Sequence, residues 1–255
     1  MPAAAVLTTS LAFGLCLASV PVAADPSPQL VVHEAFTPNR LDSPTNLSLT
    51  AALSPTLEGV PERATKLTVF APAGLGVDTR GAATCSRTLL QLRGPAACPA
   101  RSRAGFGGGV GVLKLPSQTI RESFTLDFFF ASTRPGHLSL LAYASALAPI
   151  GVELVLVARE VAVPAPYGFG FSVEIPPIVT IPGAAPASIE TVFASLGAAN
   201  VYYYERVRGS RRLVALPGLL TPRRCPRGGW IGAATVEFAG GSSLTVEPRI
   251  PCPGA

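Results

Sequence analysis

Between Thr119 and Phe130 apolar and polar side chains alternate with a period of two. Phe124, Leu126, Phe128 and Phe130 fall on one side of an extended backbone, and Thr125 and Asp127 on the other. A β-strand places residues i, i+2 and i+4 on one face, so this pattern reads as a half-buried strand. Gly168 to Ile175 repeats it, with Phe169, Phe171, Val173 and Ile175 opposite Ser172 and Glu174. Residues 151–163 are denser: Val152, Leu154 and Leu156 alternate with Val155 and Val157, which places this strand centrally with both faces covered.

Further strands are expected over residues 30–36, 46–53, 66–71, 109–115, 137–147, 188–194, 200–207, 211–216, 231–238 and 243–250. Short strands at such spacing, punctuated by Gly and Pro, imply an all-β protein, here a β-sandwich with short Pro/Gly-rich loops and little helix. Residues 208–211 (RGSR) and 239–242 (AGGS) read as hairpin turns, because glycine reaches positive φ without a steric penalty. The one helical turn expected covers residues 86–92, with Ser86 as N-cap. The proline-rich residues 164–186 contain the strand around Phe171 and are read as surface loops within a single domain, residues 25–255.

The first 24 residues carry no charged side chain, and residues 6–20 form a mostly apolar run, short for a membrane span and suited to a secretory signal. Small residues at Ala23 and Ala24 precede Asp25, where the mature chain is expected to begin. Removing residues 1–24 also removes Cys16 and leaves Cys85, Cys98, Cys225 and Cys252. An even set in an exported chain implies disulfides, and the cost of closing long loops favours Cys85 with Cys98 and Cys225 with Cys252. A zinc site is disfavoured, since no C-x-x-C occurs and His33 and His137 are the only histidines.

Catalytic patterns are sparse. Neither a G-x-S-x-G elbow nor a P-loop is present. The glycine tract GFGGGVG, residues 105–111, fails the dinucleotide-binding pattern and is expected to serve tight turns or a close strand crossing. His33 and His137 sit in strand-like runs and read as structural or surface residues. Glu153, Glu174 and Glu190 would be the candidate acids of a wall hydrolase, and each fits the polar face or end of a strand equally well. No enzyme activity, cofactor or metal is expected.

The formal charge of +5 is carried almost wholly by arginine, Lys66 and Lys114 being the only lysines. Arg206, Arg208, Arg211, Arg212, Arg223, Arg224 and Arg227 lie close together in sequence, opposed by Glu205 and preceded by Tyr202, Tyr203 and Tyr204. Such a stretch could attract an anionic cell-wall polymer or lipid headgroups; nucleic acid is not expected as a partner outside the cell. Four segments, APAGLGVDTRGAATC, GPAACPARSRAGFG, NVYYYERVRGSRRLV and RRCPRGGW with a terminal IPCP, resemble a group of uncharacterised exported proteins of high-GC actinobacteria. That resemblance implies an envelope location and paired cysteines and supplies no catalytic residue.

The expectation is therefore an exported, non-catalytic structural or binding module of the cell envelope. A β domain carrying a lipid-like ligand is the alternative. The two differ in one respect: an open barrel lined by Phe124, Phe128, Phe169 and Phe171 suits a ligand, and tight packing of those rings does not.

Overall fold

The computed structural model describes residues 29–56, 59–131, 138–147, 151–179, 181–182, 184–197, 202–215 and 218–254. The expected signal, residues 1–24, lies outside the described residues, as does His137. The strands are β1 (Leu30–Thr37), β2 (Pro44–Leu53), β3 (Ala64–Pro72), β4 (Gly76–Asp78), β5 (Arg103–Lys114), β6 (Thr119–Phe130), β7 (Ser139–Ala146), β8 (Val152–Val161) and β9 (Tyr167–Glu174). They continue with β10 (Ser188–Gly197), β11 (Tyr202–Val207), β12 (Ser210–Ala215), β13 (Gly218–Leu220), β14 (Trp230–Ile231), β15 (Ala233–Phe238), β16 (Ser243–Val246) and β17 (Arg249–Ile250). Among the described residues one α-helix, α1 (Arg87–Arg93), interrupts the series between β4 and β5.

Thirteen strands form one antiparallel sheet in the order β16-β15-β3-β9-β8-β7-β6-β5-β10-β2-β13-β4, with β1 paired to the other edge of β2. The sheet curls until β1 lies beside β16. Side chains rather than a hydrogen-bond ladder make this closure: Leu30 and Val32 of β1 pack in clusters with Leu244 and Val246 of β16. The layers expected of a sandwich are thus facing walls of a single sheet, with Leu49 and Ala51 of β2 packed against Ala234 of β15 and Val69 of β3.

The period-two pattern decides which wall faces in. Register places Phe124, Leu126 and Phe128 of β6 level with Gly109, Gly107 and Gly105 of β5, and Leu126 and Phe128 level with Ala144 and Ala142 of β7. On the opposite wall Phe171 and Val173 of β9 align with Val69 and Leu67 of β3. The outside is mixed: Val31, Phe106 and Phe193 are exposed there, among many polar groups. The Thr68 hydroxyl bonds that of Ser172, Thr235 bonds Thr245, and Lys66 bridges to Glu237 at 2.9 Å. The apolar interior is the reverse of the polar lumen of a lipid-embedded barrel.

The glycine tract lies inside β5, which begins at Arg103 rather than near Gly109 as its composition implied. Tertiary packing overrides the weak strand propensity of glycine here. A Cβ on Gly109 would meet the Phe124 ring at 2.6 Å and press into the Thr191 carbonyl of β10; one on Gly107 would meet the Phe128 ring at 3.3 Å and the Phe193 carbonyl. Close approach of β10 and the two rings, and not a phosphate, accounts for the tract.

The outer face of β6, β7 and β8 is covered by residues 85–102. Ser86 caps α1 by accepting from Leu89 N–H at 3.1 Å, and the helix stops at Gly94, whose φ is +70°. Leu90, Cys85 and Cys98 then pack on Phe129, Leu141, Tyr143 and Val155. The central position expected of residues 151–163 follows from this cover. Cys85–Cys98 and Cys225–Cys252 are disulfide-bonded, with Cα separations of 5.3 and 5.8 Å. Disulfides of this kind belong to proteins that fold in oxidising compartments.

Candidate functional site

The curled sheet encloses a cavity of about 300 Å³ that runs along its axis. Phe124 and Phe128 on one wall and Phe169 and Phe171 on the other all line it. These rings, and Leu67, Val69, Leu154 and Val173, point inward yet are only half-buried, so the interior is not filled by its own side chains. Alanines create the room: Ala142, Ala144, Ala158 and Ala194 stand at inward positions where a larger residue would close the space. Phe169 and Phe171 meet edge-to-face with centroids 5.7 Å apart, a geometry that fixes the rings without filling the centre.

The two ends of the barrel differ. At one end Phe36, Leu75, Leu219, Trp230 and Ile250 form a packed plug. The Trp230 ring meets Phe36 edge-on, and its N–H donates to the Arg224 carbonyl at 3.0 Å. The Cys225–Cys252 disulfide ties down the same region, since Cys225 packs on this cluster. At the other end lie Glu122 and Ser188, two of the few polar residues in the lining.

Across that second end runs the connection from β9 to β10. In the ring of strands β9 and β10 stand on opposite walls, separated by β8, β7, β6 and β5 on one side and by β3, β15, β16, β1 and β2 on the other. The described residues of this connection, 175–179, 181–182 and 184–187, therefore span the mouth. Ile178 and Ala187 line the cavity and are joined by an Ala187 N–H bond to the Ile178 carbonyl at 3.0 Å, while Ile175 N–H is held by Thr65 of β3 at 2.8 Å. Prolines at 176, 177, 182 and 186 stiffen this strap.

The residues singled out from sequence lie elsewhere. Glu153, Glu174 and Glu190 face outward on β8, β9 and β10, three different strands. Glu190 pairs with Arg121 at 2.8 Å, Glu174 lies opposite Lys66, and Glu153 accepts from Tyr143, whose phenol is raised above its ordinary pKa by burial first and by this bond second. They do not converge in a cleft. His33 is exposed on the outer face of β1. Arg206 and Arg211 stand opposite each other on the β11–β12 hairpin, turned by Arg208 and Gly209 at φ +51° and +84°. Arg223, Arg224 and Arg227 follow β13, where Arg223 reaches Asp42 at 3.2 Å. The seven arginines are thus split between two segments; the Arg212 side chain and those of Tyr202, Tyr203 and Tyr204 fall outside the described ones.

One buried acid escaped the sequence reading. Glu34 of β1 is 6% exposed and neither carboxylate oxygen has a hydrogen-bond partner. Burial pushes it up to about 8. Its signal was available: Glu34 shares a strand face with Val32 and Phe36, where alternation calls for an apolar residue.

Among the described residues no group of acids, cysteines and histidines could hold a metal, and no helix is long and apolar enough to cross a membrane. Fold and site together define an all-β protein whose curled sheet surrounds an unfilled apolar cavity. No protein-family model, no curated protein and no solved structure matches the chain.

Proposed function

We propose that this protein is an exported carrier of an apolar, lipid-like ligand, held inside the curled sheet. The observation that carries the reading is the unfilled interior. Protein cores are packed as densely as organic crystals. A dry void of 300 Å³ would cost on the order of 7 kcal/mol at about 24 cal/mol per Å³, comparable with the whole net stability of a typical domain. An apolar occupant removes that cost, and each methylene it buries contributes about 0.8 kcal/mol. The size sits at the lower end of small-molecule pockets, which suits one acyl chain or a compact polycyclic body better than a two-chain lipid.

Export rests on the charge-free apolar leader, the small residues before Asp25 and the two disulfides, and the actinobacterial resemblance points to the same compartment. The outward placement of Glu153, Glu174 and Glu190, each beside its own partner, lends nothing to a hydrolase.

The test is to purify the exported protein without detergent, extract it with organic solvent and analyse the extract by mass spectrometry, alongside titration with a fluorescent acyl probe. A stoichiometric lipid, or saturable probe uptake displaced by an unlabelled acyl compound, is the expected result. An empty extract with no probe uptake would sink the proposal.

A further inference from the structure

We infer that the strap-covered end of the barrel docks on a lipid bilayer. The inference rests on the carrier reading for its motive and on separate observations for its location. Leu147, the residue after β7, is 84% exposed, and Val179 in the strap is 60% exposed. Both belong to connections at the same end, because β7 and β9 run parallel in the ring and finish there. Each is one residue from the cavity lining, Leu147 following Ala146 and Val179 following Ile178. The exposed apolar surface is therefore continuous with the apolar interior. Single exposed apolar side chains, such as Leu41 and Leu92 elsewhere on the surface, are ordinary; Leu147 and Val179 differ in that each adjoins the apolar lining of the cavity.

Charge selects a bilayer as the occupant. The sequence holds no charged residue from Ile175 to Ile189, none from Ala146 to Val152 and none between Leu115 and Gln118, the three connections that end on this side of β5, β7 and β9. The β2–β3 connection does bring charge there, its sequence holding Glu58, Glu62 and Arg63, and Glu62 is engaged by Gly240 N–H at 3.1 Å. At the plugged end the connections carry Arg40, Asp42, Arg80, Arg101, Arg223 and Arg224. A molecule with one charge-poor apolar end and one arginine-rich end orients at an interface with the first end immersed. That end is also where an apolar ligand would pass from a membrane past the strap without crossing water.

Flotation of the exported protein with vesicles of pure phosphatidylcholine, at about 1 M salt where charge attraction is screened to about 3 Å, tests the assignment. Wild type should float with the vesicles. Leu147→Asp with Val179→Asp should bind about tenfold more weakly or worse, because two apolar insertions are lost; Arg211→Ala with Arg212→Ala should bind as wild type does. The milder pair Leu147→Ser and Val179→Ser should also weaken binding, which guards against a misfolded variant. Failure of wild type to float, or unchanged flotation of both loop variants, overturns the docking face. Failure of the carrier reading shows separately, as absence of acyl-probe uptake by wild type in solution.

Discussion

The carboxylate of Glu34 occupies the space that a side chain at position 232 would fill. A Cβ built on Gly232 would meet the Glu34 carboxyl carbon at 2.8 Å, and both oxygens of the acid are buried without a partner. The glycine admits the acid, and the acid gains no hydrogen bond in return.

Desolvation raises Glu34 from 4.5 to about 8. A group whose folded pKa lies above its unfolded one contributes fully below the unfolded value, and that contribution fades as pH climbs to the folded value. Stability should therefore fall between about pH 4.5 and pH 8, by at most about 1.4 kcal/mol per pH unit, and level off above. Glu34→Gln should flatten this slope, matching wild type near pH 4.5 and exceeding it at pH 8. Denaturant midpoints measured across that range decide it; parallel curves for the two proteins would show that the acid is hydrated or paired in solution.

At Gly109 the stakes are steric. The Phe124 ring and the Thr191 carbonyl both occupy the place of a Cβ, so Gly109→Ala forces either the ring or the β5–β10 ladder to move. Overpacking of this kind costs about 1–3 kcal/mol. Gly111, whose nearest neighbours lie 3.7 Å away, should accept alanine with a change within about 0.5 kcal/mol. Equal thermal shifts for the two variants would contradict the close crossing.

Filling the cavity should separate binding from folding. Ala144 of β7 points inward between Leu126 of β6 and Leu154 of β8. Ala144→Phe places a ring in space that is empty, so the variant should keep or gain thermal stability while acyl-probe uptake drops by at least about tenfold. The same ring in a tightly packed sandwich would destabilise by about 1–3 kcal/mol. Calorimetry and probe titration on one sample therefore read both expectations together.

The alternation in residues 119–130 and 168–175 made the strands and their inward faces legible, and cysteine spacing made the disulfides legible. Hollowness was not. Phe124, Phe128, Phe169 and Phe171 would alternate identically in a packed sandwich and in an open barrel. What distinguishes them is a long-range fact, the meeting of β1 with β16, and no local pattern encodes it. The strap was hidden for the same reason: residues 164–186 read as surface loops around the strand at Phe171, and only the strand order places β9 and β10 on opposite walls. Glu34 was hidden differently, because one acid among apolar neighbours looks like a break in a pattern rather than a buried group.

Cys85–Cys98 and Cys225–Cys252 should differ in what their loss does. On the chain-entropy model the shorter loop is worth about 3 kcal/mol and the longer about 3.6, so entropy alone ranks Cys225–Cys252 first. The structure adds a local term. Cys85 and Cys98 hold α1 and its flanking turns over Phe129, Leu141, Tyr143 and Val155 on the outer wall, whereas Cys225 belongs to the cluster around Trp230 that plugs the barrel. Cys85→Ala with Cys98→Ala should loosen the outer cover, raising hydrogen exchange in residues 85–102 and leaving probe uptake near wild type. Cys225→Ala with Cys252→Ala should loosen the plug, lowering stability by roughly 3–4 kcal/mol and making the Trp230 fluorescence accessible to a soluble quencher. Exchange mapping and quenching on the two double variants separate the cases. If removing the Cys225–Cys252 link leaves Trp230 as shielded as before, the packed cluster holds that end closed by itself and the disulfide acts through the unfolded chain alone.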